Sequence, residues 1–182
     1  MIDTSVRLFG DPVLRQPCSP VVDFDRELAK LAKSMHATLA REEGAGLAAP
    51  QVGVLQRMFV FHVDRLRGEL VNPVLEFPDE EEQDGPEGCL SMPGLYFDTI
   101  RRQNVVARGF SLKGDPVQIV GSGFLARCLQ HETDHLDGVL FLDRMDRERK
   151  REAMLAIRRA EWFSDEPLRV KESPHPMFGR NR

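Results

Sequence analysis

The sequence predicts an α+β fold, with mostly antiparallel β-sheets packed around a central helix, an N-terminal helix and a C-terminal helix. Two observations carry this. Apolar residues recur at helical spacing in three places, from Phe24 to Glu42, from Gly123 onward and from Arg144 to Phe163. Between the first two lie short runs rich in Val and Phe, broken by Gly and Pro rather than by helices, a spacing that favours antiparallel pairing. With 182 residues the chain fits one compact domain. It is read as a single domain over 1–165 and an irregular tail over 166–182, where EPLRVKESPHPMFGRNR has little periodicity.

In order along the chain, Leu28, Leu31, Ala32, Met35 and Leu39 form one face of the first helix, with Asp23 or Asp25 available as its cap. Gly44 and Gly46 mark its end. RMFVFHV (57–63) and ELVNPVLEF (69–77) read as strands, with Pro73 requiring an edge or a bulge. The acidic run DEEEQD (79–84) reads as a solvated loop, because like charges repel and extend a chain. Residues 104–110 and 117–120 bracket KGDP, a hairpin signal. From Gly123, the residues Phe124, Leu125, Cys128, Leu129, Glu132 and Leu136 trace a helix with a broad apolar face, which His131 and His135 continue. The last helix is strongly charged and takes Met154, Leu155, Ile157, Trp162 and Phe163 as its apolar anchors.

Composition excludes several classes. Hydrophobic residues at 41% and charged residues at 30% rule out collagen-like and wholly disordered chains. A net charge of -4 and a pI near 5.8 give no global basic field, so DNA is not an expected ligand. No window approaches 18 consecutive apolar residues, and the opening MIDTSVRLFGDP resembles no leader. A cytoplasmic location and no membrane partner are expected. Cys18, Cys89 and Cys128 are an odd, widely spaced set, unlike a disulfide framework.

The chemistry concentrates in HETDH (131–135). Two histidines one turn apart project from one helical face and can share a metal ion, and Glu132 between them can reach a coordinated water. Burying His, Glu, Asp and His in one turn is costly without a strong partner, which a metal provides. A catalytic site of this type takes three protein ligands and keeps one position open. One extended protease pattern would place a third histidine where this chain has Phe141, although Gly138 falls correctly. A zinc endopeptidase with Glu152 or Glu161 as the third ligand fits the spacing, and so does a thiolate from Cys89 in EGCLS (87–91). A non-catalytic, metal-stabilised peptide-binding domain would need a fourth protein ligand, such as Asp134 or Cys128. The residues alone leave these readings open.

Three segments together resemble peptide deformylase: GAGLAAPQ (44–51), EGCLS (87–91) and QHETDHLDG (130–138), each similar to one of that family's motifs and in the family's order. The resemblance runs from LFGDPVLR (8–15) to FLDR (141–144). It implies a metal-dependent hydrolase that removes the N-formyl group from the N-terminal formylmethionine of newly made polypeptides, releasing formate. It implies one divalent metal ion, Fe2+ in the first place, with Ni2+, Co2+ or Zn2+ able to replace it. Cys89, His131 and His135 would be its ligands.

Such a site leaves a fourth place for water, whose pKa falls toward neutrality on coordination, and Glu132 would serve as general base and then general acid. The resemblance assigns oxyanion stabilisation to the Gln51 side chain and the Leu90 backbone N–H. Gly46 is expected to border the peptide, since glycine admits close approach. Phe124 and Cys128 share the ligands' helical face and are candidates for the pocket that takes the methionine side chain. Arg101 is expected to pair Glu87 or Asp134 near the site. The basic residues Arg147, Arg149, Lys150, Arg151, Arg158 and Arg159 form a candidate ribosome contact, because the substrate emerges from a ribosome.

Overall fold

Strand β2 (Met58–Val63) is buried on both faces, and its two faces divide the core. Met58 and Val60 point to one apolar cluster with Leu28, Leu31, Met35 and Leu39, while Phe59, Phe61 and Val63 point to a second with Leu129 and Leu136. Alternation of side chains along a strand produces this split, and each large apolar side chain buried here contributes roughly 1.5–3 kcal/mol. The computed structural model describes residues 5–163. The proposed tail therefore lies outside the described residues.

Helix α1 (Arg26–Arg41) supplies the first cluster. Asp25 caps it, its carboxylate accepting from the N–H groups of Glu27 (2.9 Å) and Leu28 (3.0 Å). The five-stranded sheet has the order β1-β2-β3-β6-β7, with β1 (Gly46–Ala48), β3 (Leu66–Glu76), β6 (Asn104–Phe110) and β7 (Pro116–Ser122), and every pairing is antiparallel. Pro73 sits in an interior strand at a bulge rather than at an edge. The register shifts between Val71 and Val74, and Asn72 there takes a positive φ of 50°.

A second sheet is the hairpin of β4 (Glu82–Cys89) and β5 (Met92–Arg102). It corrects the reading of 79–84 as a loop. Glu82, Gln83 and Asp84 are strand residues, because Arg102 and Arg101 of β5 face them in register and Arg149 binds Asp84 through both carboxylate oxygens at 2.8 Å. Strand β5 itself does not show in the sequence, because its first residues, MPG, imitate a turn.

Helix α2 (Gly123–Leu136) lies between the two sheets and is buried continuously from Ala126 to Leu136. It ends where the chain turns at Gly138, whose φ is 70° and where a Cβ would sit 2.7 Å from the Arg15 carbonyl oxygen. Gly138 thus has a local structural reason independent of any protease pattern. Helix α3 (Arg147–Arg159) begins later than Arg144, after Asp146 caps it and a 3-10 turn over Phe141–Asp143. Ala153 and Ile157 are its buried anchors, with Met154, Trp162 and Phe163 packed beside them. Leu155 is exposed and anchors nothing. Trp162 donates to the Pro93 carbonyl at 2.9 Å, so the end of α3 clamps the β4–β5 hairpin.

Candidate metal centre and active site

α2 presents Arg127, His131 and His135 at four-residue spacing along one face, and the end of β4 brings Cys89 to the same point. The ligand atoms of Cys89, His131 and His135 all lie within 4.8 Å of one another and all three residues are buried. Among the described residues no other His, Cys, Asp or Glu set does this. His135 Nε2 is 3.3 Å from Cys89 Sγ and 3.2 Å from His131 Nε2. Metal–nitrogen bonds of about 2.1 Å and metal–sulfur bonds of about 2.3 Å at tetrahedral angles separate neighbouring ligand atoms by roughly 3.4–3.6 Å. The residues therefore fit a single divalent ion with only a small expansion.

Electrostatics agree. Burial disfavours charge on His131, yet the Cys89 sulfur and the Glu87 carboxylate raise its pKa well above the ordinary histidine value. A cation is favoured at this point. His131 Nδ1 lies 2.7 Å from Glu87 Oε1, which turns Nε2 toward the centre. Glu87 in turn accepts from Arg101 Nε (3.0 Å) and Nη2 (2.6 Å) and from Arg127 Nη1 (2.8 Å). Burial alone would raise the Glu87 pKa, but Arg101 and His131 overcome it and hold the carboxyl well below the usual carboxylate range. Arg101 bridges onward to Asp134 at 2.6 Å, so the expected pairing is with both acids.

The competing ligands are elsewhere. Glu152 and Glu161 are exposed residues at and beyond α3 and belong to no ligand cluster among the described residues. Asp134 accepts from Arg101 and Arg144, and the Cys128 thiol donates to the Ala45 carbonyl at 3.5 Å, so neither closes the site as a fourth ligand. Phe141, where a third histidine was tested, packs its ring 5.7 Å from that of His131.

Glu132 is 3% exposed, and its Oε2 has no hydrogen-bond partner among the described residues. Burial, reinforced by the charge of Glu87, raises its pKa to about 7, against the lowering effect of His131 and Arg101. Gly46 makes room for it, because a Cβ at that position would collide with Oε1 and lie 2.7 Å from Cδ. Gln51 is 1% exposed rather than a solvated loop amide. Its Oε1 accepts from the Ala48 N–H at 2.8 Å, which fixes the amide so that Nε2 points to Ser91 Oγ (3.2 Å) and Cys89 Sγ (3.5 Å). Leu90 follows Cys89 in the tight connection to β5.

Cys89, Leu90, His131 and Glu132 line a cleft of about 550 Å3, bordered by the 44–46 segment, the 86–90 segment and the exposed face of α2. Cys128 lies buried in its wall and Phe124, at 57% exposure, stands at its mouth. Core packing is therefore not the role of Phe124. Arg127 and Tyr96, two further residues of this cleft, do not stand out in the sequence. Arg127 is buried against Glu87 and the Thr99 carbonyl, and its one signal was its place four residues before His131. Tyr96 lines the cleft with its ring laid on Gly88.

Comparison with known proteins gives one family. The model of polypeptide deformylase matches residues 4–151. The chain is 57% identical over 175 residues to a peptide deformylase of Acidothermus cellulolyticus, covering 96% of both chains. It is 56% identical over 178 residues to one from Parafrankia sp., covering 97% of each. Among solved structures, a peptide deformylase from Synechococcus elongatus in complex with actinonin is similar with a TM-score of 0.80 and 39% identity, over 86% of each chain. That from Thermus thermophilus gives a TM-score of 0.78 at 42% identity, over 85% of this chain and 92% of that one.

Proposed function

This chain belongs to the peptide deformylase family, a metal-dependent hydrolase that removes the N-formyl group from N-terminal formylmethionine, and from that premise we propose how its own residues perform the reaction. The observation that carries the reading is the convergence of Cys89, His131 and His135 beside the buried Glu132 carboxylate, whose Oε2 has no partner among the described residues. A divalent ion held by Cys89, His131 and His135 would act there as a Lewis acid, lowering the pKa of water toward neutrality. Ferrous iron is the proposed ion, though a thiolate with two imidazoles also suits nickel, cobalt or zinc.

Glu132 takes the proton of the attacking water and delivers it to the amine nitrogen as the formyl C–N bond breaks. The products are formate and a free amino group. Gln51 Nε2, already fixed by the Ala48 N–H, donates to the oxyanion that develops on the formyl oxygen, and the Leu90 backbone N–H is the second donor. Gly46 borders the peptide and keeps Glu132 in place. Cys128 and Phe124 line the pocket for the methionine side chain.

The test is metal analysis after anaerobic purification, followed by formate release from a formyl-methionyl peptide with and without a chelator. Activity that tracks bound metal is expected; metal retained with no formate released would refute the reading. In the same assay Phe124→Ala should raise KM for formyl-methionyl peptides more than for formyl-alanyl ones, and equal changes would remove Phe124 from the pocket. Gly46→Ala should lower kcat/KM about tenfold to a hundredfold, because a displacement of about 1 Å at a reacting group can cost that much. Its metal content should stay normal. A full rate in this variant would show that Glu132 has room elsewhere.

On α3, Arg149 is paired with Asp84 and Lys150 with Asp143, while Arg147, Arg151, Arg158 and Arg159 are exposed. This basic face is the proposed ribosome contact; cosedimentation that survives charge reversal at Arg151 and Arg158 would count against it. No helix among the described residues is long and apolar enough to cross a membrane. A cytoplasmic site of action is proposed, since that is where formylated nascent chains emerge.

A further inference from the structure

A second cavity, also about 550 Å3, lies behind α2 on the side away from the metal ligands. Its wall combines the guanidinium groups of Arg57, Arg102 and Arg144 with an apolar side made of Val74, Phe77 and Ile100, all three exposed. Three carboxylates also line it, and each already faces an arginine: Asp137 with Arg57, Asp134 with Arg101 and Arg144, and Glu82 at 4.0 Å from Arg102. Counting Arg101, four cations stand against three anions in the wall. Among the described residues Arg57 and Arg102 each use only Nη1 in a hydrogen bond, to Asp137 and to the Glu80 carbonyl, so planar N–H edges remain for a ligand.

The cavity is joined to the metal centre by an unbroken series of charged contacts. Arg144 binds Asp134 through Nε (3.1 Å) and Nη2 (2.6 Å). Asp134 holds Arg101, Arg101 holds Glu87, and Glu87 lies 2.7 Å from Nδ1 of His131. Asp134, Arg101 and Glu87 are buried, so solvent screens the links weakly.

We propose that this cavity is a second binding site, for a small carboxylic acid with an apolar body, and that its occupancy is transmitted through Arg144, Asp134, Arg101 and Glu87 to the metal ligand His131. The carboxylate engages the free edges of Arg57 and Arg102 and the Nη1 of Arg144 in the same wall, and the apolar body covers Val74, Phe77 and Ile100. Nothing in the hydrolytic reaction needs this site, so its loss leaves the cleft intact.

The probe is 4-fluorophenylacetate, followed by fluorine NMR with the cobalt-loaded protein. Saturable binding is expected, unaffected by formate at a concentration that saturates the metal, and weakened at least tenfold in the double variant Arg57→Gln/Arg102→Gln. Val74→Asp, on the exposed wall and outside every ion pair, should weaken binding similarly and guards against a folding defect in the double variant. Competition by formate without an effect of these variants would place the probe at the metal and overturn the site. Tighter binding of 4-fluorobenzylamine than of the acid would make it a cation site and overturn it equally. The visible absorption bands of the cobalt centre should shift when the probe saturates the wild-type protein; unchanged bands would overturn the transmission.

Discussion

Glu132→Gln is expected to keep its metal, lose about 10²–10⁴-fold in kcat/KM and, once the metal is chelated, unfold less readily than the wild type at pH 8. The first two effects follow from a carboxylate beside the ligands whose only task is to move protons. The third follows from its burial. Its pKa rises from 4.5 to about 7 in the folded protein, so between those values the unfolded chain releases the proton and the folded chain keeps it. A raised carboxyl pKa therefore subtracts stability, beginning near pH 4.5 and complete above pH 7. At about 1.36 kcal/mol per pKa unit the penalty reaches about 3 kcal/mol. Glutamine cannot ionise, but its amide still needs partners there, so a gain of about 1–3 kcal/mol is expected. Denaturant titrations of both chelated proteins should show the gain at pH 8 and its disappearance near pH 4.5. An equal midpoint at both pH values would mean that Glu132 is solvated. The activity of the wild-type enzyme should rise with pH as this carboxyl loses its proton.

Local spacing made α2 and its two histidines legible, because one turn of helix sets their separation whatever surrounds them. The hairpin of β6 and β7 was legible for the same reason, with KGDP between two short apolar runs. Cys89 is different: nothing in EGCLS itself distinguishes a ligand from an inert buried thiol, and only resemblance to a family identified it before the fold did. The tertiary pairings were hidden. Glu82 and Asp84 read as loop residues by mutual repulsion, yet arginines from β5 and α3 neutralise them in a strand. Arg127 carries no distinguishing local pattern, yet Glu87 from another strand draws it inside. Strand β5 has Pro93 and Gly94 directly after its first residue and carries charges at its far end, so its identity comes from its partner rather than from its own pattern.

Those same hidden pairings predict the largest effect on stability. Glu87 is 4% exposed and is the meeting point of Arg101, Arg127 and His131. Glu87→Gln preserves its shape but turns an NH2 group toward one of two buried guanidinium groups, leaves Arg101 with Asp134 alone and strips Arg127 of its ion-pair partner. Breaking a buried ion pair on one side costs about 3–5 kcal/mol, and loss of the group that orients a metal-bound histidine costs about 10–100-fold in metal affinity. The pH dependence has a definite sign. Because the folded-state pKa of Glu87 is depressed, its contribution is complete above the unfolded value of 4.5 and is lost as acid protonates it in the native state. The stability gap between wild type and variant should thus be widest near neutral pH and narrow progressively below about pH 4.5. Denaturant midpoints across that range test the sign, and competition with a metal-binding dye tests the affinity. A gap that stays constant into acid would show that the cost comes from packing rather than charge. Unchanged metal affinity would show that His131 is held in place without Glu87.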